Sequence, residues 1–120
     1  MDTDSHDAAK DAAIDSEMVR ELRDEGGNLL SDLVDMFITE VPVQLASLAE
    51  ALAKRDAGAT RLTAHTLKGT AGNFGAWRMQ TLARAIEDKG RDAALDGASA
   101  ILTELRAECV RVREALERVR

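Results

Sequence analysis

The sequence predicts an all-α protein, an up-down antiparallel four-helix bundle with a short additional N-terminal helix. Three observations carry that prediction. Of its 120 residues, 45% are hydrophobic, 32% charged and only 2% aromatic, with no Tyr and one Pro; a chain rich in Ala, Leu, Glu and Arg favours helix over strand. Apolar residues recur at steps of three and four, the period of helices with one buried face. Gly and Asp punctuate those stripes at short intervals, and short connections between long helices make antiparallel neighbours.

Met1 to Asp15 hold five Asp and one Lys without a periodic stripe. That composition predicts a disordered acidic tail over residues 1–15, with His6 idle in solvent, and a folded domain over 16–120. Asp15 or Ser16 is a good N-cap for a short helix bearing Met18, Val19 and Leu22, which Gly26-Gly27 stops. Asn28 opens the next helix. Its face is Leu30, Val34, Phe37, Val41, Leu45, Leu48 and Leu52, and the stripe keeps phase across Pro42. One kinked helix is therefore expected there rather than two. Asp56 and Gly58 mark the next start, with a helix from about Ala57 to Gly72 and a tight turn at Gly72-Asn73-Phe74-Gly75. The fourth helix is expected from about Ala76 to Lys89, burying Met79, Leu82 and Ile86, with Gly90 as its stop. In the last helix Leu102, Leu105, Cys109, Val112, Leu116 and Val119 follow a 3.5-residue repeat. About two and a half heptads suit a bundle helix better than an independent coiled coil. Its Arg and Glu residues, Glu108 among them, read as a solvated face.

Composition also excludes functions. Acidic residues outnumber basic ones 22 to 16, against a nucleic-acid binder. Cys109 is the single cysteine, so there is no internal disulfide and no thiolate metal cage. No apolar run approaches the roughly 18 residues of a membrane span, and the acidic N-terminus is unlike a signal peptide. A cytoplasmic protein without membrane contact is expected.

One face is left over by the bundle. On the third helix, at about 100° per residue, Thr60, Ala64, Leu67, Ala71 and Phe74 share the core arc. His65 lies about 140° from the centre of that arc, among Arg61, Lys68, Gly69 and Gly72. An outward Gly69 is costly, since Gly weakens a helix by about 1 kcal/mol relative to Ala. Its presence suggests a partner approaching the backbone, with Leu62 as an exposed apolar contact. Leu62 also occupies the place of Glu in the Glu-x-x-His di-iron pattern, so that metal chemistry is not supported. There is no evident Ser, Cys or Asp triad and no phosphate loop. An exposed imidazole remains, a nucleophile or a ligand for something another molecule brings. Lys68 beside it favours an anionic group. As Lys68 faces solvent on this arithmetic, its charge is expected to matter for that chemistry more than for folding.

The run His65-Thr66-Leu67-Lys68-Gly69-Thr70-Ala71-Gly72-Asn73-Phe74-Gly75-Ala76 resembles the His-x-Leu-Lys-Gly…Gly-Ala signature of histidine-containing phosphotransfer (HPt) domains. Ala64 before it and Leu82, Ile86 and Glu87 after it also fit, and the resemblance extends over about Ser16 to Val119. It implies a four-helix bundle that relays a phosphoryl group between aspartates of response-regulator receiver domains, or to and from a hybrid histidine kinase. Carried over by position, it implies phosphorylation of His65 on Nε2 and charge stabilisation by Lys68. Gly69 would be the small residue that admits the receiver, and Glu87 the group that orients the imidazole. Arg91 would be a basic residue near the site, although Gly90 is expected to end the helix before it. Arg61, Leu62 and Gly72 complete the candidate docking surface. The resemblance implies a monomer with no cofactor of its own, the divalent metal lying in the partner receiver domain. A histidine-kinase dimerisation fragment is the main rival, though such domains follow the His with an acidic residue and here Thr66 follows. A structural interaction bundle that is never phosphorylated is the other.

Overall fold

The structure, a computed structural model, describes residues 12–120. The expected tail from Met1 to Asp11, His6 included, lies outside the described residues. Among the described residues there are five helices and no strand: α1 (Ser16–Asp24), α2 (Leu29–Ala53), α3 (Ala57–Gly72), α4 (Trp77–Arg91) and α5 (Ala98–Val119).

Local chemistry sets the starts. The Asp15 carboxylate accepts from Glu17 N at 3.0 Å and Met18 N at 3.2 Å, opening α1. Asp56 accepts from Ala59 N at 3.0 Å and opens α3. Asn28 precedes α2 without a side-chain cap bond. Gly97, at φ +86°, turns the chain into α5.

Each of the four long helices packs on the next, and α5 returns to α2, while α1 packs on α2. Side-chain pairings show the sense of the packing. Lys89 and Asp96 meet at one end of α4 and α5, Arg78 and Glu108 further along, in opposite chain order. Likewise Arg55 meets Asp96 while Asp35 meets Arg120, so α2 and α5 run oppositely. The α2 stripe enters the core from Leu30 to Leu48, with Leu52 half-buried. Phe37 meets Phe74 edge-to-face at 6.0 Å. Cys109 is buried in the same core, and loss of solvation pushes its thiol up to about 12, leaving it no thiolate character.

The helix α2 is unbroken through Pro42, as the stripe's constant phase predicts. At 25 residues it is also long and apolar enough to cross a membrane, by length and composition only. Asp32, Asp35, Glu40 and Glu50 interrupt it, so it holds no uninterrupted apolar run of about 18 residues. Its outer face contributes Leu29, Met36 and Val43 as well, so its apolar content exceeds what one buried stripe needs.

Five expectations are corrected. Ala13 and Ile14, placed in the tail, are buried. They precede a backbone bond from Asp15 N to Phe74 O at 3.0 Å, so two apolar residues anchor the entry to α1 on the α3–α4 turn. Gly90 does not end α4, which continues to Arg91 with Asp92 as its cap. Leu82 is half-buried, and Ala83 and Glu87 take core positions alongside Met79 and Ile86. Glu108 is buried rather than solvated, its carboxylate 2.8 Å from Arg111 and 3.5 Å from Arg78. Val119 is only partly buried, at the end of its stripe.

Gly75 is where the turn has least freedom. Its φ is +61°, and a methyl group there would stand 2.3 Å from Asp15 Cβ and 2.9 Å from Met18 Sδ. Gly75→Ala is expected to destabilise the protein by about 2 kcal/mol, from left-handed strain plus displacement of the N-terminal anchor. Urea unfolding measures this; an unchanged midpoint would show that the anchor contributes nothing.

Candidate functional site

The register of α3 buries Thr60, Ala64, Leu67 and Ala71, with Phe74 just beyond its end. His65, one position after Ala64, is thereby turned outward, and 64% of its side chain is exposed. The facing helix α4 buries Met79, Ala83, Ile86, Glu87 and Gly90. Most are small or apolar, but Glu87 places a carboxylate under the α3 surface with only 3% of its side chain exposed.

That carboxylate collects three basic side chains. Its Oε2 lies 2.6 Å from His65 Nδ1, its Oε1 lies 2.7 Å from Lys68 Nζ, and Arg91 approaches Oε2 at 3.7 Å. Burial pushes the Glu87 carboxyl up, but bonding and charge from Lys68 and His65 outweigh it and hold the group below the usual carboxylate range. An ionised Glu87 can only accept, so the proton at this contact belongs to imidazole Nδ1. The Nε2 lone pair is then the free nitrogen of a ring exposed to solvent.

The expected site residues therefore divide. His65, Lys68 and Glu87 come together in one cluster. Lys68 is not a freely solvated lysine: only a quarter of it is exposed and it is tied to Glu87. Removing it would leave a buried carboxylate short of one cation, so its charge serves the fold as well. Arg91 stands one turn after Glu87 on the same helix, because α4 does not stop at Gly90, and Asp88 holds it at 2.7 Å. Gly69 is exposed, and a methyl group there would meet nothing within 4 Å, so no internal packing demands this glycine. Leu62 is 60% exposed and Arg61 is also exposed. Gly72 lies lower on this face, where a methyl group would meet Gln80 Nε2 at 3.0 Å.

Two participants are not evident in the sequence reading. Asp88 positions Arg91, and Gly90 brings the two helices together. Their available signal was weak: an Asp among charged residues, and a glycine that looks like a helix stop. The residues here present a protruding imidazole rather than a cavity. A groove of about 260 Å³ lies elsewhere, between α2 and α5, lined by residues such as Phe37, Val41, Leu45 and Cys109. Among the described residues no group of three or more His, Cys, Asp and Glu is arranged to hold a metal ion.

Comparison with known proteins bears on the family and the fold. The sequence model of the Hpt domain matches residues 32–119. The fold is similar to the crystal structure of histidine-containing phosphotransfer protein B (HptB) from Pseudomonas aeruginosa PAO1. The TM-score is 0.82 at 28% sequence identity, covering 88% of this chain and 92% of that one. No curated protein matches the chain.

The depressed Glu87 carboxyl gives the cluster an acid-sensitive contribution to stability. Because the folded group titrates below its ordinary value of 4.5, that contribution is complete above about 4.5 and is lost as pH falls through the folded value. Glu87→Gln is expected to lower the melting temperature at pH 7 and to show a shallower decline below pH 4.5 than the parent protein. Thermal melts across pH 2–7 check this. Parallel curves would mean that Glu87 does not contribute to the acid limb.

Proposed function

The chain belongs to the Hpt domain family, and from that premise we propose that it carries a phosphoryl group on His65 between aspartates of response-regulator receiver domains. A hybrid histidine kinase is the alternative donor or acceptor in the same relay. One observation carries the reading: an exposed imidazole whose Nδ1 is held 2.6 Å from a buried, ionised carboxylate. That arrangement fixes the tautomer and leaves Nε2 as the nucleophile.

The chemistry then proceeds in one displacement. The Nε2 lone pair attacks the phosphorus of a receiver's aspartyl phosphate in line. An N–P bond forms, the P–O bond to the aspartate breaks, and its electron pair leaves with the aspartate carboxylate. The ring keeps its Nδ1 proton and gains positive charge, which faces the Glu87 carboxylate. Charge on the transferred group is spread over its oxygens, and catalysis needs positioning and cations rather than covalent help. Lys68 supplies a cation from this chain, and a divalent metal held by the receiver would supply the other. Reversal uses the same groups, as a relay requires.

The opposed pairings described above support an up-down antiparallel four-helix bundle with α1 as the short additional helix. The expected setting is the cytoplasm, with the chain a monomer, since the dimerisation-fragment alternative requires an obligate pair. Gly69, Leu62 and Arg61 form the proposed docking surface, and Gly72 borders it.

Two outcomes test the reading. Incubation with a phosphorylated receiver is expected to label the parent protein and to leave His65→Gln unlabelled. Label retained by that variant, mapped to another residue, would displace His65 from its role. For Gly69, Ala is expected to stabilise α3 by up to about 1 kcal/mol. Gly69→Gln is expected to keep the fold while slowing transfer about tenfold, because it fills the approach path. Normal transfer by folded Gly69→Gln would place the docking surface elsewhere. Circular-dichroism melts and single-turnover transfer on the same preparations separate these results.

A further inference from the structure

Gly90 stands in the middle of a polar stretch, Asp88-Lys89-Gly90-Arg91, which reads as a helix ending. The structure gives it another place. Its helix continues past it, its φ is not positive, and it is buried against the facing helix. A methyl group on Gly90 would stand 2.7 Å from Arg61 N, 2.9 Å from Arg61 Cα and 3.0 Å from Ala57 O. All three are backbone atoms, which no side-chain rotation can move aside. Any larger residue must therefore separate α3 from α4.

This contact lies one turn from the His65–Glu87 bond on both helices. Arg61 precedes His65 by four residues and Gly90 follows Glu87 by three, so each pair shares a face. Ordinary contact begins at 3.4 Å, so a side chain at Gly90 requires about 0.7 Å of separation. Carried one turn along, that would stretch the 2.6 Å contact to about 3.3 Å, outside the range of a charge-assisted hydrogen bond. Glu87 is buried and already spans the gap, so it has little slack to recover the distance.

We infer that Gly90 is a positioning residue: it sets the α3–α4 spacing at which the Glu87 carboxylate reaches His65 Nδ1 and fixes the imidazole tautomer for phosphoryl transfer. The inference rests on the carrier reading for its functional consequence, but not for its structural one. It also accounts for a glycine in a helix interior, where Ala is the better helix former. Gly69 and Gly90 are then complementary: one is open toward solvent, while the other is closed against backbone.

The test compares Gly90→Ala with Val112→Ala, a core truncation on α5 chosen for comparable loss of melting temperature. Ring ¹⁵N and ¹H NMR signals of His65 report whether the Nδ1-protonated tautomer persists, independently of any phosphotransfer. Gly90→Ala is expected to lose that single-tautomer signature and to accept phosphate about tenfold more slowly, since displacements near 1 Å can cost up to about a hundredfold. Val112→Ala is expected to keep the parent signals and rate. Should Gly90→Ala not fold in plain buffer, trimethylamine N-oxide favours the compact state and the same signals are read there. Parent-like ring signals in folded Gly90→Ala would overturn the inference, whatever its stability. Equal changes in Val112→Ala would also overturn it, because general loosening would then suffice. Failure of the parent protein to take up phosphate would overturn the carrier reading instead, and the ring signals would still decide the positioning claim.

Discussion

The site depends on one buried carboxylate. Glu87 lies at the α3–α4 contact, and its desolvation is offset only because His65, Lys68 and Arg91 all turn toward it. Remove the helix contact and the carboxylate returns to water, the imidazole loses its orientation, and Lys68 becomes an ordinary surface lysine. The spacing of two helices therefore governs both the protonation of a ring and the charge around it. The anchor at the N-terminal end acts on the same pair of helices: Asp15 bonds to Phe74 and packs over Gly75 in the turn that joins them.

The arrangement suits a protein that exchanges a group with other proteins. A buried nucleophile would exclude a macromolecular partner, whereas an exposed, untethered imidazole would sample both tautomers and many rotamers. Here the ring is open to solvent on one side and held on the other. Its anchoring group is buried beneath the surface, so a docking partner need not displace it. The chain carries a net charge of −6, yet the outer rim of the site is basic, with Arg61, Lys68 and Arg91. In the proposed relay an incoming phosphoryl group would meet local positive charge within an acidic molecule, because at ordinary ionic strength charges more than about 10 Å away are largely screened.

Much of this was legible in sequence because helices announce themselves by period. The stripes of α2, α3 and α5 placed their buried faces, and the same arithmetic turned His65 outward. Phase continuity carried α2 through Pro42. What periodicity could not give was the third dimension between elements. Glu87 and Glu108 look like any other solvated Glu, and only the packing of α4 against its neighbours shows that both are buried. Gly90 has the local signature of a stop, and its contact partners lie on another helix. Ala13 and Ile14 are too few to form a stripe, so their burial depends on the α3–α4 turn rather than on their own neighbourhood. Lys68 was placed on the right face, but a face does not reveal a tether.

The tether has a further consequence for the two roles of Lys68. In the resting protein its ammonium helps to keep Glu87 ionised, and ionised Glu87 keeps the proton on Nδ1. In the proposed transfer the same ammonium would face phosphoryl oxygens. If it leaves Glu87 for the phosphate, the imidazole simultaneously becomes positively charged and replaces it as the carboxylate's cation. The count of positive charges facing Glu87 is thus preserved through the displacement. Reorganisation is confined to one flexible lysine side chain, with the helices fixed. Such conservation of local charge favours a site that works equally well in both directions, because neither the free nor the phosphorylated state leaves a buried carboxylate without its partner.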